Sequence, residues 1–241
     1  MSFLTAYNRR LAAAAAAASI GLAGSAFAND VTFQLIIDDG PVQNFAPAGL
    51  DVGNGVFNYA QTEFGPGYSV GWDINAKAFD QPFISGNIVV SNTSLDTIKF
   101  QFTVHLPIGV AILPSSLIGG SVAGGLTTPL GGGFLNSVDN TPVWQAFIDG
   151  NLAASLLEAP FAANKFGAGS VGIGPESFGS PIPSQPGPSI QESLAITLTF
   201  ELSAGAQASF TSVFTAVVIP APGAFALLGL AGLVGRGRRR N

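Results

Sequence analysis
The chain has 241 residues, long enough to bury the core of one large all-β domain, and only 10% of them are charged. With 31 glycines, 16 prolines and 19 phenylalanines it favours turns and strands over surface helices, and at 47% hydrophobic it is excluded from the disordered class. All six arginines sit at the two ends, and between them 14 acidic residues minus three lysines leave −11, which excludes a phosphate-backbone footprint and with it nucleic acid as a partner.

Residues 1–28 read as a signal peptide. A basic start ends at Arg9-Arg10, an apolar stretch runs from Leu11 to about Leu22, and "SAFA" follows. Ala26 and Ala28 stand in the small-x-small positions that a signal peptidase admits, so cleavage is expected after Ala28. The paired arginines before a mild, alanine-rich stretch suit a twin-arginine route as well as the general secretory one, and both stay open.

From Asn29 to residue 219 the pattern predicts one antiparallel β-sandwich or jelly roll, flanked by an N-terminal signal helix and a C-terminal apolar helix. The apolar residues recur at period two, as strands with one buried face require. They run through Val31, Phe33, Leu35 and Ile37; then Val70, Trp72 and Ile74; then Ile84, Ile88 and Val90; then Phe100, Phe102, Val104 and Leu106. The glycine-dense stretch 116–134 is expected to give two short strands with long loops, since glycine weakens strand interiors. Asp149-Gly150 is a turn signal with a short helix or strand on either side. The five prolines of 174–189 suggest a surface loop or extended strap. Late in the chain, Leu194, Ile196, Leu198, Phe200 and Leu202 form one apolar set, and Phe210, Phe214, Ala216 and Val218 another. The short "SAGAQA" between them is expected to make the two strands a hairpin.

The end has three parts. Pro220, Ala221 and Pro222 form a turned joint, Ala224 to Val234 is wholly apolar, and residues 236–241 carry Arg236, Arg238, Arg239 and Arg240. From Pro222 to Gly235 a helix would cover roughly 20 Å, short of the ~30 Å hydrocarbon core, which suits a transient membrane segment better than a permanent anchor. This tail, residues 220–241, resembles the PEP-CTERM sorting signal of exported bacterial proteins, in a Pro-Ala-Pro variant where the family name calls for glutamate at Ala221. The resemblance implies an exosortase as partner, which removes the tail at or near the motif, and delivery to the cell surface or extracellular matrix. It covers the tail alone. An ordinary single-pass anchor is the alternative.

The sequence shows no catalytic constellation. His105 is the one histidine and falls on the polar side of its strand; with no cysteine either, a thiolate or histidine-rich zinc site is excluded. Asp38, Asp39, Asp51, Glu63, Asp73 and Asp80 gather in the first third without a spacing that singles out a glycosidase pair or a calcium loop. Trp72, Trp144, Tyr59 and Tyr68 could line a sugar-stacking surface, but aromatics in a sandwich are usually core. The expectation is an exported, non-enzymatic protein with a structural or interaction role and no cofactor. The alternatives are a carbohydrate-binding module, touching extracellular polysaccharide, or a secreted glycan hydrolase.

Overall fold
A computed structural model describes residues 31–109, 115–180 and 183–218. The signal peptide, with Ala26 and Ala28, and the whole tail, with Pro220–Pro222, the apolar segment and the arginines, lie outside the described residues. So do the two flanking helices expected from the sequence. Among the described residues no helix is long and apolar enough to cross a membrane.

The described residues form two antiparallel sheets of eight strands each. Sheet I holds β1 (Thr32–Ile37), β2 (Gln43–Phe45), β7 (Ile98–Pro107), β9 (Gly133–Asn136), β10 (Trp144–Ile148), β11 (Asn151–Leu156), β12 (Ala162–Lys165) and β15 (Ser193–Leu202). Its order is β11-β10-β15-β7-β1-β2, with β9 beside the far end of β15 and β12 beside β9. Sheet II holds β3 (Leu50–Gly53), β4 (Val56–Gly65), β5 (Tyr68–Lys77), β6 (Phe83–Asn92), β8 (Ser116–Thr128), β13 (Gly169–Phe178), β14 (Gln185–Gly187) and β16 (Gln207–Val218). Its order is β13-β8-β16-β6-β5-β4-β3, with β14 also on β8.

The two inner faces meet in an aromatic core built from the period-two positions. Phe33 stacks on Trp72 at 5.0 Å, Trp72 leans on Phe102 at 5.4 Å, and Phe200 bridges Phe100 and Phe210 at 5.7 and 5.2 Å. Trp144 is fully buried and donates its indole N–H to Ser212 Oγ at 2.6 Å, a polar bond between sheets in an apolar interior. Such a bond fixes the facing positions, because losing one partner strands the other without water.

Three expectations need correction. The strands 194–202 and 210–218 are not a hairpin: β15 lies in sheet I and β16 in sheet II, so "SAGAQA" arches between the layers. Stretch 116–134 does hold two strands, β8 and the start of β9, but β8 runs unbroken for 13 residues and the loop between them is only 129–132. The β8 glycines are points of close approach: a Cβ on Gly124 would stand 2.0 Å from the Ser209 carbonyl oxygen. The proline-rich strap is partly strand, because the end of β13 and all of β14 pair with β8. The Asp149-Gly150 turn is present and joins β10 to β11, with φ of 50° and 75° at its two residues. Such a left-handed pair matches the twist of a tight hairpin.

Strand ends divide the molecule into two poles. Thr32 pairs with His105, Ser193 with Pro107, and Val218 with Ser116, so the first and last described strands open and close at one pole, the exit pole. The opposite pole, the crown, carries the loops at 38–42, 65–67, 93–97, 129–132, 166–168 and 203–206.

Candidate functional site
The outer face of sheet I differs from that of sheet II along its central strand. On β16 the outward Ser209 and Thr211 are exposed, as expected of short polar residues over water. On β15 the outward Ser193, Ala195, Thr197 and Thr199 are each only 7% or 8% exposed. The reason lies in the flanking strands. Beside Ser209 and Thr211 stand the short Gly125, Val89, Ala123 and Asn87. Beside the β15 residues stand His105, Thr103 and Gln101 on β7, and Phe147 and Gln145 on β10. His105 and Phe147 overtop the Ala195 methyl on both sides, and Thr103 matches Thr197 in size and bonds to it, so the outer face is closely packed over β15.

Register places this face in levels. His105, Ala195 and Phe147 share one; Thr103, Thr197 and Gln145 the next. Gln101 and Thr199 follow, and Lys99, Glu201 and Asn136 close the crown end. Thr103 and Thr197 share a hydroxyl hydrogen bond of 2.9 Å. Among the described residues the side chains of Gln101, Gln145, His105 and Thr199 make no hydrogen bond, and Asn136 Oδ1 is buried without a partner. His105 is half-buried rather than open to solvent, and burial lowers its pKa from 6.5, so the imidazole is neutral at physiological pH.

At the exit end of β15 a cavity of about 480 Å³ is lined by Ile148, Asp149, Asn151, Ser189, Gln191 and Glu192. Burial would raise the Asp149 pKa, but amide hydrogen bonds from Ser193, Glu192 and Gln191 outweigh it and hold the carboxylate below its ordinary 3.8. These bonds bind the β10–β11 turn to the segment entering β15. Asp149 is therefore structural.

The other carboxylates are dispersed. Asp38 and Asp39 sit in the crown beside Lys99, with Lys99 Nζ 2.6 Å from Asp39 Oδ1. Asp51 accepts from the Gly53 amide, Asp73 from Asn58, and Glu63 from Gln61, while Asp80 lies 3.9 Å from Lys77. No group of three or more histidines, cysteines and carboxylates able to hold a metal ion occurs among the described residues. Trp72, Trp144, Tyr59 and Tyr68 are all buried, so they build core and not a sugar platform. The crown shows Leu95, Leu130 and Phe166 at 90% exposure or more, around a cleft of about 450 Å³ that Lys165 helps to line.

Sequence reasoning missed the packed outer face over β15. It comes from strands whose adjacency is topological: β7, β10 and β15 are distant along the chain. The signal present was the run Ser-x-Ala-x-Thr-x-Thr on the outward side of β15, small residues where a surface strand tolerates large ones. No family model matches the chain, and no curated protein matches it either.

Proposed function
We propose that this is an exported protein, sorted to the cell surface or extracellular matrix, that acts non-enzymatically through a structural or binding role. Its β-sandwich body carries a disposable signal peptide in front and a PEP-CTERM-like tail behind, read by an exosortase after brief residence of the tail in the membrane. One observation carries the sorting half of this reading: β16 ends at Val218, two residues before Pro220, paired with β6 as far as Thr215 and with β8 to its end. A strand held in the middle of a sheet delivers the chain to the motif from a fixed point at the exit pole. The motif thus follows directly on the rigid body, with little slack between them.

Intact-mass measurement of the protein recovered from its host tests this. The expected mature species begins at Asn29 and ends between Pro220 and Gly223. A species that keeps its arginines and resides in the membrane fits an ordinary anchor instead, and a cytosolic species with both ends intact sinks the proposal.

A second reading, the carbohydrate-binding module, draws on the unpaired side-chain amides of Gln101 and Gln145 on the outer face of sheet I. The hydrolase alternative draws no comparable support, since Asp38, Asp149 and Glu176 spend carboxylate oxygens on backbone amides.

A further inference from the structure
We propose that Asn54-Gly55, at the tip of the β3–β4 hairpin, is a self-modification site: the folded protein loses ammonia there, and the change loosens the β3 edge. Water is the only co-reactant. The Gly55 amide nitrogen attacks Asn54 Cγ, the Cγ–Nδ2 bond breaks, and ammonia leaves with the amide proton, closing a cyclic imide. Water then opens the imide at either carbonyl. One opening leaves aspartate at position 54. The other leaves isoaspartate, which routes the main chain through the side chain and lengthens it by one carbon.

The hairpin meets each demand of that reaction. Asn54-Gly55 is the one Asn-Gly pair in the sequence, and a residue without Cβ leaves the attacking nitrogen unshielded. Both residues are exposed, with φ of 57° and 73°, the left-handed pair of a tight hairpin turn. Among the described residues neither the Gly55 N–H nor the Asn54 side chain makes a hydrogen bond. A Cβ on Gly55 would meet only Lys77 Cε, at 3.8 Å, and the positive charge one bond further on favours loss of the amide proton. Ring closure requires Asn54 to leave the left-handed region. The hairpin permits this because β3 has four residues, all exposed, pairs with β4 alone, and is interrupted by a bulge between Asp51 and Gly53.

Comparable pairs elsewhere in the described residues are held. The Gly40 N–H donates to the Ile37 carbonyl at 2.8 Å, and Asp39 faces Lys99. Asp149 commits its carboxylate to three amides. Asn136 has a buried side-chain oxygen, and the Ser137 N–H that would attack donates to the Phe161 carbonyl at 2.9 Å. Asn92 is buried, its amide bonded to two carbonyls. The two products at position 54 then differ. Aspartate tolerates the same left-handed turn and adds one negative charge beside Lys77. Isoaspartate moves Gly53 off its place opposite Val56, so β3 comes away from β4.

Ageing of the full chain in detergent, in mildly alkaline buffer below its melting transition, tests the proposal. Isoelectric focusing, labelling by isoaspartyl methyltransferase and peptide mapping follow the change. The parent gains one negative charge, position 54 converts ahead of every other described asparagine, and labelling rises with the shift. Hydrogen-exchange protection along β3 is lost in the chains that carry isoaspartate. Asn54→Asp starts at the shifted position, and neither it nor Asn54→Gln, whose longer side chain closes the ring poorly, moves in the same interval. Should one variant unfold, the other still decides. The proposal is overturned if only urea-unfolded chain acidifies, if another described asparagine converts first, or if both variants acidify like the parent. Full protection of β3 in isoaspartate chains also overturns it.

Discussion

Asp149 illustrates how a single turn residue can organise distant chain. Its own amide donates to the Ser193 carbonyl at 3.0 Å while its carboxylate receives the amides of residues 191, 192 and 193. Replacing it with alanine leaves those donors without an acceptor and is expected to cost about 1–3 kcal/mol in chemical denaturation. The pH dependence has a definite sign. An acid whose folded pKa lies below its unfolded value of 3.8 contributes stability that is complete above 3.8 and is lost as the pH falls through the folded pKa. The gap between parent and Asp149→Ala is therefore widest at neutral pH and narrows in acid; a gap that stays constant into acid would contradict the assignment. The Asp-Gly pair was legible as a turn from its chemistry, but not its partners, because nothing local links position 149 to position 191. Asn92 teaches the same lesson. It is buried, with its amide donating to the Asp96 and Leu202 carbonyls and its oxygen accepting from Ser94, and the sequence marks it only as a polar residue at a strand end.

At the scale of elements, alternation revealed the strands and left their partners hidden. The inward residues of β1, β5, β6, β7 and β15 are those the period-two pattern selected, because a half-buried strand must alternate whatever it pairs with. Which sheet a strand joins depends on the loop that follows, and a short glycine-bearing loop serves a hairpin or an arch equally well. That ambiguity is why β15 and β16 looked paired. Glycine was misread for a related reason: it weakens an isolated strand, yet between two neighbours it permits backbones and rings to close in. Gly124 is opposite Phe210, and its missing Cβ is the space that the Ser209 carbonyl fills. Gly124→Ala should destabilise the body by about 1–3 kcal/mol or more through forced separation of β8 from β16. Gly172→Ala, with open space around the added carbon, serves as the control in the same thermal melts. Equal melting of the two variants would refute this account of β8.

At the scale of the molecule, the two poles separate tasks. Chain entry and chain exit share one end, and the exposed Leu95, Leu130 and Phe166 stand at the other. A body fixed by its tail would present the crown outward. The route of β16 through the centre of its sheet also governs how the body bears mechanical load. Traction applied beyond Val218 and resisted at the crown pulls β16 lengthwise between β6 and β8, so its hydrogen bonds are loaded together in shear rather than opened one after another. Single-molecule stretching between the crown loop at 129–132 and the C-terminus is expected to show one high-force rupture, well above that of a pull across β3, the edge strand at Leu50–Gly53 that could peel away bond by bond. A tether that yields gradually at low force would mean that the last strand is not the mechanical clasp its position makes it.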